Sequence, residues 1–279
     1  MKTKTTFLLA MLVLLSTTLS FGQKQTKVDP TEVLKSEVLP QSLQLNDELQ
    51  KFVVTTDHFN FDMFGNFFNK QRIQGEYTRG LGNGQVKWNN VTMAFSMQKD
   101  GDFPVGNKID YMEDFSYSPS EDMLHSDKFK NFGENSAFTK NLVWDMLGIE
   151  GFAWSAWDKL KLNVPYSATN FNGKMDLAGQ GSFENKDMQL TWTGITVMNG
   201  ELCALIDYRT FDNPVDYAAE GMSMKGRSHY WGTIWVSLED KQIEHAVLYE
   251  DVMMEMLLPG QTTKQILDAR REITYVREI

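Results

Sequence analysis

The chain has one cysteine, Cys203, so no disulfide can close within it. Histidine is nearly as scarce. His58, His125, His229 and His245 are the whole set, and none has a partner at ligand spacing on a helix, so no metal centre is expected. Basic residues are outnumbered, 27 Lys and Arg against 37 Asp and Glu, for a formal charge of −10. They form no cluster, which argues against nucleic acid and anionic membrane surfaces as partners. No apolar run reaches the roughly 20 residues of a membrane span, so an integral membrane protein is not expected. HExxH, CxxC, GxSxG and GxxxxGK[ST] are all missing, and with them any motif that would assign catalytic residues or a cofactor. Gly80-Leu-Gly-Asn-Gly84 lacks the strand-then-helix context of a phosphate loop and reads as a turn.

The amino terminus carries the clearest positive signal. Lys2 and Lys4 precede the apolar run Phe7–Leu15, and small residues follow at Ser20 and Gly22. That is the pattern of a secretory signal peptide over residues 1–22, cut before Gln23. No cysteine stands at the new amino terminus, so a lipoprotein anchor is not expected. The expected location is the periplasm or the medium, where a large core replaces disulfides. Residues 23–279 are read as a single β-rich domain, with a loop and helical region at about 98–162.

Asp29-Pro30 opens a short helix to about Val38, and a second helix is expected near Asn46. The phenylalanine-rich stretch 59–68 reads as a buried connection. Strands are expected at 74–79 and 85–97, and a long loop at 98–135. Over 136–162, Leu142, Met146, Ile149, Ala153, Trp157 and Leu160 recur at helical spacing, with Gly148 and Gly151 as candidate breaks. Asp145 and Asp158 fall on the expected wet side of that helix. From Pro165 the pattern turns to strands at 179–184, 189–197, 201–208, 222–238, 242–256 and 272–279. Asn199-Gly200 is the strongest hairpin turn. The expected fold class is α+β and β-rich: a curved antiparallel meander, an open barrel, with helices on one side.

The densest polar cluster lies in the hairpin 222–256. With 239–241 as its loop, Trp235 faces His245, Trp231 faces Tyr249 and His229 faces Asp251. Those six residues then share one sheet face, while Ile234 and Val236 take the other. A one-residue change in the loop would dissolve the set. Trp154 and Trp157 join them as candidate ligand contacts, because their helix can cap the sheet, act as a lid over an apolar cavity or, against its acidic residues, contact a partner or membrane. Asp145, Glu150, Asp158, Glu244, Glu250 and Asp251 are candidate carboxylates for glycoside hydrolysis. Cys203 alternates in an apolar strand and reads as an inert buried thiol.

An exported chain with a helix or two followed by antiparallel strands resembles the lipoprotein-carrier type of open β-barrel of the Gram-negative envelope. The resemblance is one of architecture over residues 136–279, and no motif residues carry over. It implies a sheet curled over a helical plug, with acyl chains held in the hollow. The leading expectation is an exported, non-catalytic binding protein for an apolar or mixed, lipid-like small ligand. A secreted hydrolase acting on glycans and an envelope scaffold or adhesion module are the alternatives. Oligomeric state is not legible.

Overall fold

The computed structural model describes residues 28–219, 222–257 and 260–278. The expected signal peptide lies outside the described residues. The chain opens with α1 (Pro30–Ser36), started where Asp29 Oδ1 accepts from the Thr31 amide at 2.8 Å. Three long strands follow: β1 (Gln50–Asp62), β2 (Phe67–Arg79) and β3 (Val86–Ser96). Short strands β4 (Asn107–Lys108) and β5 (Phe115–Tyr117) interrupt the expected long loop. Then come α2 (Ser136–Trp154) and the short strands β6 (Tyr166–Ser167), β7 (Gly173–Asp176) and β8 (Gly181–Asn185). The chain finishes with β9 (Gln189–Met198), β10 (Glu201–Ala219), β11 (Met222–Ser237), β12 (Ile243–Leu257) and β13 (Gln265–Arg277).

The strands form one antiparallel sheet in the order β4-β3-β2-β1-β13-β12-β11-β10-β8-β7, with β9 also on β10, and it does not close into a barrel. The α+β, β-rich class is therefore as expected. Strand alternation gives the sheet two faces. Phe52 and Val54 of β1, Ile73 and Tyr77 of β2, Ile234 and Val236 of β11, and Ile273 and Tyr275 of β13 are buried in one core with α2. This inner face is where the helix sits, with Phe152 of α2 tilted on Tyr208 at a ring separation of 5.0 Å.

α2 is buried on more than its sheet side. Trp144 donates Nε1–H to the Met123 carbonyl at 3.0 Å, and its ring meets Phe129 edge-on. The expected break at Gly148 or Gly151 does not occur. A Cβ at Gly151 would stand 3.0 Å from the Phe171 ring, so the glycine admits a close neighbour. The helix ends at Ser155, so Trp157 and Leu160 lie in the turns beyond it.

Three other expectations are corrected. No helix forms near Asn46; β1 starts at Gln50. Its inner face mixes Gln50, Thr56 and His58 with Phe52 and Val54, which hid the alternation. The stretch 59–68 is not a buried connection but the end of β1, a tight turn and the start of β2. Asp145 is not on a wet face: its side chain is buried against Arg271 at 2.5 Å.

Candidate ligand-binding face

The hairpin β11–β12 pairs as its sequence suggested, by a route the sequence did not show. Near the turn the register differs by one residue, with Val236 opposite Ile243. Ser237 N donates to Gln242 O at 2.8 Å, and Lys241 takes a left-handed φ of 63°. A bulge at Glu244 restores the expected pairing, so Trp235 faces His245, Trp231 faces Tyr249 and His229 faces Asp251. Glu244 itself is buried, held by Arg277 and by Asn199 Nδ2 at 3.2 Å.

On the outer face, away from α2, a row of rings crosses three strands. Phe211 of β10 lies 6.4 Å from His229, His229 5.5 Å from Trp231, and Trp231 6.0 Å from Tyr249. Trp231 is 40% exposed. His229 Nε2 stands 3.3 Å from Asp251 Oδ2, both half-buried. Beside this pair opens a hollow of about 430 Å³, walled by Phe211, Met253, Arg227, Asp212, Asp268 and Arg270 as well as His229 and Asp251. Two of its three carboxylates are paired with arginine, Asp212 Oδ1 with Arg227 Nη1 at 2.5 Å and Asp268 Oδ2 with Arg270 Nη2 at 2.9 Å, and the third, Asp251, faces His229. The sequence reading missed Arg270 and Asp268 because it began the last strand at 272, whereas β13 starts at Gln265 and sets Arg270 opposite Asp251.

The eight candidate residues divide into three groups. His229 and Asp251 wall the outer hollow, and Trp231 and Tyr249 lie beside it, continuing the ring row from His229. Trp235 and His245 lie further along that strand pair, rings 4.9 Å apart, and burial lowers the His245 pKa. Trp154 and Trp157 are elsewhere, under the β11–β12 turn. Trp154 donates to Lys241 O at 2.9 Å with Arg79 over its ring, and Trp157 donates to Pro40 O at 3.0 Å.

The inner face holds a buried charge cluster. Arg271 of β13 bridges Asp145 of α2 and Glu250 of β12, and Ser228 Oγ donates to Glu250 at 2.5 Å. Burial pushes Asp145 up to about 6, against the pull of Arg271. His58, opposite Arg271 on β1, has no hydrogen-bond partner on Nε2 among the described residues and meets Phe138 edge-on at 5.1 Å. Burial, then the Arg271 charge, holds its pKa well below 6.5. Below about pH 6.5 the unfolded chain therefore takes up a proton that folded His58 refuses, and stability falls by up to about 1.4 kcal/mol per pH unit. Asp145 works oppositely: the stability it contributes is present below its unfolded pKa of 3.8 and lost as pH rises through about 6. His58→Leu should then lose less melting temperature than wild type between pH 7 and pH 5. Equal losses in thermal melts would refute this.

Four of the candidate carboxylates, Asp145, Glu150, Glu244 and Glu250, are engaged by arginines, whereas Asp251 stands at the outer hollow and Asp158 is exposed. Glu150 accepts from Tyr77 at 3.0 Å and lies 3.5 Å from Arg79. Among the described residues, Glu201, Asp240 and Glu244 have oxygens close enough to share a cation, but Arg277 already bridges Glu244 and, at 3.8 Å, Glu201. Cys203 is buried and burial raises its thiol pKa, as an inert residue requires. Among the described residues no helix is long and apolar enough to cross a membrane.

No protein-family model matches the sequence, and no curated protein matches it. Among solved structures the chain is similar to lipovitellin, from a study of its lipid–protein interactions: 10% identity, TM-score 0.42, over 85% of this chain and 26% of that one. The chain thus spans about a quarter of lipovitellin's length. A DUF1329 family protein from Desulfovibrio piger is similar at 5% identity and TM-score 0.11, over 89% of this chain and 92% of the other. Neither likeness is close enough to bear on what this chain binds.

Proposed function

We propose that this is an exported, single-domain, non-catalytic binding protein that holds a small ligand of mixed, lipid-like character in the outer hollow of its sheet. The observation that carries the reading is the junction of the ring row Phe211–His229–Trp231–Tyr249 with the hollow beside it. Apolar walls with a few placed polar groups are the usual make-up of a small-molecule site. Phe211 and Met253 supply the apolar contact, and the His229–Asp251 pair and the two Arg–Asp pairs meet the polar part. The inner side offers less room, because α2 packs there. Trp154 and Trp157 then act on the ligand only through the scaffold. Paired charges favour a ligand without large net charge and give no support to nucleic acid.

Native mass spectrometry of protein purified from its own cells tests this. A co-purifying small molecule is expected, and Met253→Lys, which puts a charge on an exposed wall, should release it at unchanged melting temperature. Protein free of bound molecules, or equal retention by the variant, would refute the reading.

A further inference from the structure

The stretch expected to be buried carries two strongly exposed apolar side chains, Met63 and Phe64. The turn between β1 and β2 is built by Asp62. Its Oδ1 accepts from the amides of Phe64 and Asn66, each at 2.8 Å, and its Oδ2 from Asn66 Nδ2 at 2.7 Å. Two backbone bonds, Asp62 N to Asn66 O at 2.9 Å and Gly65 N to Asp62 O at 3.0 Å, close it, with Gly65 at φ +80°. Phe61 and Phe67 meet edge-on behind it, ring centroids 5.8 Å apart. On this rigid support Met63 is 58% exposed and Phe64 80% exposed. A turn held so firmly normally presents polar residues, since asparagine, aspartate, serine and glycine suit its geometry.

The apex is not isolated. Pairing of Lys70 with Ser96 brings the end of β3 to the same end of the sheet, and with it the exposed Phe95 and Met97. Val105, 97% exposed, shares a second hollow of about 470 Å³ with Phe95. Single exposed apolar residues are ordinary, but a group at one end is not. The charges nearby balance: Arg72 pairs with Asp57 at 2.6 Å, Arg270 with Asp268 at 2.9 Å and Lys264 with Glu255 at 2.6 Å, while Lys70 and Lys99, the latter 6.0 Å from the Phe61 ring, are offset by Asp62, Asp100 and Asp102. They offer no surplus positive charge to anionic headgroups.

A protein partner fits this apex poorly. A specific interface takes about 800 Å² from each side, with matched shape. A second copy would need a patch complementary to itself, whereas the group Met63, Phe64, Phe95, Met97 and Val105 is led by a projecting turn. A bilayer interface asks for neither. It accepts an aromatic and a thioether side chain at the headgroup–acyl boundary, and paired charges suit zwitterionic lipid. We infer that Met63 and Phe64 seat the β1–β2 apex in the surface of a zwitterionic bilayer. This stands whether or not the outer hollow holds a ligand.

Flotation of the chain with phosphatidylcholine–phosphatidylethanolamine vesicles tests it. Wild type should float with the vesicles, and Met63→Ser/Phe64→Ser should lower the partition coefficient about tenfold or more. Both side chains project into solvent, so the melting temperature should not move. Val197→Ser, an exposed apolar position beside the Asn199-Gly200 turn at the far end of the sheet, should float as wild type does. Four results would each overturn the inference: no flotation of wild type, equal flotation of the double variant, flotation only with anionic vesicles, or a lipid-free sedimentation coefficient that falls in the double variant, which would mark the apex as a contact between copies.

Discussion

Replacing Arg271 by methionine should cost about 3–5 kcal/mol of stability, the largest loss expected from a single substitution in this chain. Among the described residues, Arg271 is the cation paired with both Asp145 of α2 and Glu250 of β12. All three side chains are largely withdrawn from water. Methionine keeps much of the volume, so the cavity it leaves is small. What remains is two carboxylates in low dielectric with no counter-charge, and only Ser228 donating to Glu250. Desolvation already pushes Asp145 up to about 6 with the arginine present. Without it the acid should rise further, so the variant should gain stability relative to wild type as pH falls from 7 towards 5. Adding Asp145→Asn and Glu250→Gln to the variant removes both stranded charges and should restore most of the loss. Urea midpoints for the single and triple variants would check this. A single variant within about 1 kcal/mol of wild type would mean that the cluster is hydrated and α2 is held by packing alone.

That cluster also shows why part of the fold was hidden. Residues 50–62 carry polar side chains on the face that points inward, at Gln50, Thr56 and His58, so apolar alternation was masked and a helix was expected at their start. Gln50 Oε1, Thr56 Oγ1 and His58 Nε2 find no hydrogen-bond partner among the described residues, so these polar positions are buried by the packing of distant elements, such as Phe138 of α2 against His58, which no local pattern reveals. Where the inner face is plainly apolar the strands were readable: β11 and β12 emerged at nearly their true limits. The site was legible for a less direct reason. The assumed three-residue loop gives the right pairing at His245 and beyond only because a bulge at Glu244 offsets a different turn. Phe211, Arg270 and Asp268 stand beside His229 and Asp251 through pairings with β10 and β13, which the hairpin alone does not encode. The apex at Met63 and Phe64 was misread because five phenylalanines in ten residues suggest a core, whereas here Asp62 fixes a turn that turns two apolar side chains outward.

The faces of β11 should separate cleanly under substitution. Ile234→Ala should cost about 2–4 kcal/mol, the transfer loss of three buried carbons plus the cavity left behind. Ile234 is fully buried, between Ile206 of β10 and Ala246 of β12, on the side where α2 packs. Its neighbours are held by strand pairing on both sides, so the site cannot collapse around the smaller residue. Trp231, three residues earlier, points the other way and keeps 40% of its surface in water. Its contacts are with His229 and Tyr249, at ring separations of 5.5 and 6.0 Å, across an open face. Trp231→Ala should cost about 1 kcal/mol, the scale of cross-strand ring pairs, and yet remove ligand retention. Trp235→Ala should fall between the two, since Trp235 is partly buried against His245. Denaturant melts of the three variants, with retention of the co-purified molecule measured on the same samples, would separate scaffold from site. If Trp231→Ala proved less stable than Ile234→Ala while retaining the ligand unchanged, the ring row would be a structural brace of the sheet, and the outer hollow would lose its claim as the binding site.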